Sequence, residues 1–324
     1  MLTEQEIQAR HSRIGASDVA TILGMPTFKG RNAYTTYLEK CDMLEPEKRT
    51  TASINAGNRL EPTVLDYAEE QLGELKRNVV VWDPQGGPIA STLDGQVIAD
   101  SVPVEAKTSG IEGPIHGNWG DEGTDEVPDA YLIQCQVQLL CTGADICHLV
   151  ALLGGRGFKD FQIEPVPQLH KLIRDVSIDF FERYVTARKD PREDWADRLA
   201  NKHGVTLDGD PCEPQLEIVK RFRKVPGSVT TFEDPTLIIT WQRLRQERLD
   251  VEKEEQASLA KVLAGLCEAE AADLPGGGML TYFEQNGAPL INREQMKTDG
   301  VWDKYTTPNR FRVPRLKTPK KGRG

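Results

Sequence analysis

Up to about residue 205, short apolar runs alternate with stretches in which apolar positions recur every three or four residues, a pattern that predicts a layered α/β domain. Residues 17–23, 33–41 and 62–72 read as helices. In the last of these, Val64, Leu65, Ala68 and Leu72 mark one buried face, and Pro62 suits the first turn. Strand-like runs follow at 79–82, 96–100 and 102–107, separated by Pro/Gly turns in the manner of a meander. Residues 128–142 read as a helix, 146–153 as a continuous apolar strand buried on both faces, 158–163 as another strand and 166–188 as a long helix.

The pattern divides the chain into a core over 1–205, a polar, Pro/Gly-punctuated linker over 206–235, and a third part over 236–324. That third part comprises a long helix, a small β segment around Asn286-Gly287 and a basic tail. Asp234-Pro235 opens the helix, along which Leu237, Trp241, Leu244, Val251 and Val262 recur at helical spacing. Arg248 and Glu255 interrupt the heptad slots, so simple solvation, an antiparallel hairpin and an irregular coiled-coil dimer all stay open.

Composition narrows the class. No stretch approaches the roughly 18 consecutive apolar residues of a membrane span, and the opening residues MLTEQEIQARHSR lack the apolar segment of a secretory signal. A cytoplasmic protein without a membrane partner is expected. The cysteines at 41, 135, 141, 147, 212 and 267 include no C-x-x-C pair, which favours buried reduced thiols over metal ligands. The net charge of −10 argues mildly against a protein that coats nucleic acid. Residues 308–324, however, carry seven basic side chains and no acid, and can serve as a phosphate-binding arm or as a solubilising end.

Candidate chemistry centres on Asp94-Gly95 and Glu105-Ala106-Lys107. In an extended strand Glu105 and Lys107 project together, while Val104 and Ala106 pack on the opposite side. An adjacent antiparallel strand would bring Asp94 beside Glu105. Two carboxylates so close repel unless a cation lies between them, which makes the pair a natural Mg²⁺ or Mn²⁺ site. Lys107 could then neutralise charge at a scissile phosphate, or orient and deprotonate an attacking water. Singly, Asp-Gly usually makes a turn and Glu-x-Lys a solvated ion pair; the apolar lead-ins 89–93 and 102–104 instead place both carboxylates at the ends of buried strands. The histidines show no paired metal-binding spacing, and Gly154-Gly155-Arg156-Gly157 lacks the lysine of an ATP-binding loop. Trp119 could stack on an unpaired base or pin its loop to the core.

Four ordered blocks, RHSRIGASDVATILG, GNRLEP, STLDG with VEAK, and YLIQCQVQLLCTG, resemble the YqaJ-like viral recombinase nucleases, grouped with lambda-type phage exonucleases in the PD-(D/E)xK superfamily. The resemblance covers about residues 8–188. It implies an α/β, restriction-endonuclease-like core with a central mixed sheet flanked by helices; the C-terminal helical extension departs from the minimal lambda-type enzyme. By the same resemblance Asp94, Glu105, the Ala106 carbonyl and, through water, Glu61 would hold two Mg²⁺ or Mn²⁺ ions. Lys107 would be catalytic, and Gln134 matches the family's later glutamine, with Tyr131 and Gln138 on the same helical stripe. Arg10 and Ser17 match positions that hold a 5′-phosphate, with Arg13 as a neighbour. Ser17 also reads as a helix N-cap.

The implied activity is metal-dependent hydrolysis of DNA, most directly 5′-to-3′ digestion of double-stranded ends for phage-type recombination. The implied setting is a phage or prophage protein, a single-strand annealing partner and a ring-shaped trimer. An endonuclease on the same core, and a catalytically inactive module that binds DNA ends or docks an annealase, are the rivals.

Overall fold

The structure is a computed structural model that describes residues 9–25, 31–45, 52–110, 119–232, 234–275, 277–284 and 293–305. Two compact units divide it, Met1–Ser228 and Val229–Gly324.

In the first unit, helices α1 (Ala16–Ile22), α2 (Ala33–Lys40) and α3 (Ala52–Leu72) precede strands β1 (Leu75–Trp82), β2 (Ala90–Val97) and β3 (Pro103–Ser109). Helix α4 (Asp129–Thr142), strands β4 (Cys147–Leu153) and β5 (Phe158–Ile163), and helices α5 (Pro167–Phe180), α6 (Trp195–His203) and α7 (Leu216–Val219) follow. The five strands form one sheet in the order β1-β2-β3-β4-β5. Only β3 and β4 run parallel; the other neighbours are antiparallel. The mixed sheet flanked by helices therefore stands as expected.

Alternation along β3 and β4 feeds two cores. Val104, Ala106 and Val150 pack against Val64, Leu65 and Ala68 of α3 on one face, while Leu149 and Ala151 meet Tyr131, Cys135 and Leu139 of α4 on the other. Helix α4 is apolar nearly all round because a further stripe, Ile133, Val137 and Leu140, joins a third cluster with α1, α2 and α5. Each such fully buried aliphatic side chain contributes about 1.5–3 kcal/mol.

Several sequence expectations change. Asp94-Gly95 lies within β2, which runs over Ala90–Val97 in place of the expected strand at 96–100. Helix α3 begins ten residues before Pro62, which sits in its interior. The proline removes the hydrogen bond to the Asn58 carbonyl, but Asn58 is on the exposed side, so the freed acceptor can face water. Gly15, not Ser17, caps α1, and Asp18 returns its carboxylate to the Gly15 N–H at 2.8 Å. The helix expected over 166–188 widens into a π-helical turn at Phe181–Thr186. Within the segment read as a linker, Cys212 and Ile218 are buried in the same cluster as Trp195 and Leu199, and the first compact unit runs to Ser228.

Asp179 ties α5 to α6 through hydrogen bonds from Arg198 at 2.6 Å and His203 at 2.9 Å, with Lys202 at 3.0 Å. Burial acts to raise its pKa, but these donors prevail and hold it near about 2. A depressed carboxylate contributes stability that is complete above its unfolded pKa near 4 and lost as pH falls through the folded value. Asp179→Asn is therefore expected to cost about 1–2 kcal/mol at pH 7, after discounting for solvent screening. The gap in melting temperature between wild type and variant should close between about pH 4 and pH 2, and an equal gap at both ends would reject the linkage.

The second unit contains α8 (Thr236–Leu266), a two-stranded sheet of β6 (Ala271–Asp273) and β7 (Met279–Thr281), and α9 (Arg293–Thr298). Along α8, Leu237, Leu244 and Val251 are exposed, Leu266 is buried, and Arg243–Glu247 and Arg248–Glu252 pair one turn apart. The hairpin pairs Ala271–Asp273 with Met279–Thr281; Asn286-Gly287 and the basic tail lie outside the described residues. Among the described residues no helix is long and apolar enough to cross a membrane.

Candidate active site

The β2–β3 ladder pairs Gly95 with Val104 and Gln96 with Pro103, and then stops. One residue beyond, the strands part, and the Asp94 carboxylate turns into the fork to accept the Ala106 N–H at 2.9 Å. Gly95 fits closely just there: a Cβ would come within 3.2 Å of the Leu75 side chain and 3.4 Å of Leu65 and Val104, so a larger residue would make Leu75 give by a few tenths of an ångström. On the other flank Asn78 stands level with Asp94, between the pairs Arg77–Gly95 and Val79–Leu93, in a left-handed conformation (φ 57°). Asparagine tolerates that conformation better than most residues.

Glu105 projects from β3 toward α4 and is fully buried. Its carboxylate accepts from Lys107, from Gln134 Nε2 at 2.5 Å and from Gln138 Nε2. The two glutamines lie four residues apart on one face of α4. The Lys107 ammonium also lies 5.0 Å from the centre of the Tyr131 ring. Trp119 packs on Tyr131 and Phe161, ring centres 5.7 and 5.3 Å away, which pins its loop to the core.

Charge in the fork is unevenly balanced. Burial, then the adjacent Glu105, push Asp94 well above the usual carboxylate range; Lys107 and the Ala106 N–H oppose this, and Glu61 adds to it. Burial works against a charged Lys107, but Glu105 and Asp94 outweigh it and raise its pKa. Glu61 on α3 is thus within electrostatic reach of Asp94, midway between Leu65, which packs over Gly95, and Gly57, which faces Thr108. A buried and a half-buried carboxylate with one ammonium beside them suit an oxygen-seeking cation. No ready cage of three acidic, histidine or cysteine side chains forms among the described residues, so further oxygens would have to come from the Ala106 carbonyl, water or substrate.

Of the expected phosphate-binding residues, Arg10 is exposed and its backbone carbonyl accepts from Lys40 at 2.8 Å. Ser17 is exposed on the first turn of α1. Arg13 is buried, donates to Thr92 at 3.1 Å and lies 5.9 Å from the Trp82 ring centre. Burial, then Arg10, lower the Arg13 pKa, so the two guanidinium groups feel each other. Thr92 precedes Asp94 by two residues on β2, so Arg13 is anchored on the strand that carries Asp94.

Residues 7–145 match the YqaJ-like viral recombinase domain. The YqaJ-like segment contains Arg10, Ser17, Glu61, Asp94, Glu105, Lys107, Gln134 and Gln138, and ends just before β4. Among solved structures the chain is similar to the alkaline exonuclease LHK-Exo from Laribacter hongkongensis, at 20% identity over 62% of this chain and 99% of that one, with a TM-score of 0.44. LHK-Exo in complex with dAMP matches at 19% identity over 62% and 98%, with a TM-score of 0.45. A phage-related exonuclease from Haemophilus somnus 129PT matches at 16% identity over 55% and 96%, with a TM-score of 0.41. No curated protein matches the chain.

Sequence reasoning gave Gln138 no separate role and missed Thr92 and Asn78. Gln138 was the most accessible of these, since a glutamine one turn from Gln134 on a largely apolar helix demands a buried partner. Thr92 and Asn78 carry no such local signal; their importance comes from register.

Proposed function

We propose that the protein is a Mg²⁺- or Mn²⁺-dependent DNA nuclease, and specifically an exonuclease that digests double-stranded ends from 5′ to 3′. The observation that carries this is the meeting of Asp94, Glu105 and Lys107 in one half-buried fork, within the segment that matches a viral recombinase domain. Asp94, Glu105 and the Ala106 carbonyl would hold the cations, with Glu61 nearby; when bound, such ions lower the pKa of water and stabilise charge on a phosphodiester. Lys107 would place its positive charge against the attacking oxygen and the phosphate. Gln134 keeps the Glu105 carboxylate oriented. Arg10, with Arg13 anchored on Thr92 and Ser17 on α1, would hold the terminal phosphate and set the reacting bond in line.

The LHK-Exo and Haemophilus structures carry exonuclease names, which agrees with digestion from ends. A single-strand annealing partner and a trimer belong to the same reading. Light scattering should then give three times the chain mass of 36.1 kDa.

The deciding experiment compares linear duplex with closed circular DNA, with Mg²⁺ and with chelator. Progressive release of nucleotides from linear DNA, intact circles and no activity in chelator are expected. Rapid nicking of circles would establish an endonuclease, and inert linear DNA would overturn the nuclease reading. In the same assay Arg10→Ala should slow digestion of 5′-phosphorylated ends by roughly tenfold or more, the value of one charge-assisted contact, and 5′-hydroxyl ends much less. Equal losses would reject the phosphate assignment.

A further inference from the structure

We infer that Gln138 and Cys147 form a positioning relay behind Glu105 that presets the carboxylate for its cation; the inference rests on the nuclease reading above. Gln138 lies one helical turn beyond Gln134 and is wholly buried, as are Glu105 and Cys147. Its Nε2 donates to Glu105 Oε2, and its Oε1 accepts from Cys147 Sγ at 3.5 Å. The thiol has two other neighbours that can accept, the His148 carbonyl, farther away at 3.9 Å, and the Cys135 sulfur.

The carboxylate sets which way the amide faces, since it only accepts, and the thiol contact agrees with that orientation. The NH₂ end is turned to the carboxylate, and the carbonyl end meets the thiol proton. Gln134 holds the other oxygen, Oε1, at 2.5 Å, together with Lys107. Both oxygens of Glu105 are thereby set in position and rotation before any cation arrives. Burial and the neighbouring Cys135 keep Cys147 in its thiol form, the form that donates. The relay draws on β3, α4 and β4, so it also registers the helix against the parallel strand pair that carries Glu105.

Neither Gln138 nor Cys147 touches the cation, yet cation affinity should depend on both. Groups that orient a metal's ligands typically carry about 10–100-fold in affinity. The test is calorimetric titration of the full chain with Mn²⁺ alone, accompanied by melting curves and by duplex binding in chelator. Gln138→Met, which keeps volume but removes the amide, should weaken Mn²⁺ about tenfold or more while duplex binding in chelator holds. Cys147→Ala should weaken Mn²⁺ several-fold, and Cys147→Ser, which restores an O–H donor, should recover most of that loss. Gln138→Met binding Mn²⁺ within twofold of wild type would overturn the relay, as would Cys147→Ser being no better than Cys147→Ala. Should Gln138→Met fail to fold, the Cys147 pair decides. A wild-type chain that neither binds Mn²⁺ nor cuts DNA removes the nuclease reading itself, a result distinct from either of those.

Discussion

Glu105→Gln is expected to slow hydrolysis of linear duplex by at least the order of 10²–10³-fold at saturating Mg²⁺, the range seen when one preorganised electrostatic group is removed from a reacting centre. The carboxylate accepts from Lys107, Gln134 and Gln138 together. An amide in its place offers one acceptor oxygen and turns an NH₂ toward a donor, so at least one buried donor loses its partner. That loss costs about 1–3 kcal/mol, offset in part because Asp94 no longer faces a second negative charge. Against a typical domain stability of about 5–15 kcal/mol, the variant stays folded and the defect is chemical. Steady-state rates with melting curves as the control would check this. A rate within tenfold of wild type would remove Glu105 from the cation site.

Lys107→Ala should lower turnover by about 10²–10⁴-fold, the span for a group positioned to move or neutralise a proton in the transition state. Its effect on stability differs from that of Glu105→Gln. Lys107 and Glu105 are a nearly buried pair, with side-chain exposures of 19% and 1%. Removing the ammonium leaves a buried carboxylate uncompensated, at a cost of about 3–5 kcal/mol. A cation in the fork would supply the missing positive charge, so Mg²⁺ should raise the melting temperature of Lys107→Ala more than that of wild type. Melting curves with Mg²⁺ and with chelator, beside single-turnover cleavage, separate the two effects. A variant that cleaves normally would exclude Lys107 from the chemistry, and one whose melting ignores Mg²⁺ would place the cation elsewhere.

Much of this fold was legible in the chain. The strand 158–163 coincides with β5, and the helix read over 128–142 differs from α4 by one residue at its start. Both patterns are strong because each element is buried on defined faces, and burial imprints a period on the sequence. The first half of α3 was missed for the opposite reason. Residues 52–61 bury little apolar surface, so no period marks them, and Pro62 resembled a beginning. Asp94-Gly95 was read correctly as belonging to a strand despite the turn preference of the dipeptide, but the strand was expected over 96–100 and runs over Ala90–Val97. The Ser17 cap failed because Gly15 and Asp18 close the same helix end from either side of it.

Within the site, the projection of Glu105 and Lys107 to one side of β3 followed from the two-residue repeat of an extended chain, a property each strand carries alone. So did the stripe of Gln134 and Gln138 on α4, from the 3.6-residue repeat of a helix. Chain order alone could not say where the β2–β3 ladder ends, that Asp94 reaches the Ala106 N–H, or that Cys147 stands behind Gln138. Those facts depend on strand register and on the seating of two helices on opposite faces of one sheet. Both are decided by the packing of residues far apart in sequence, where the energy of close contact, and not local periodicity, selects the arrangement.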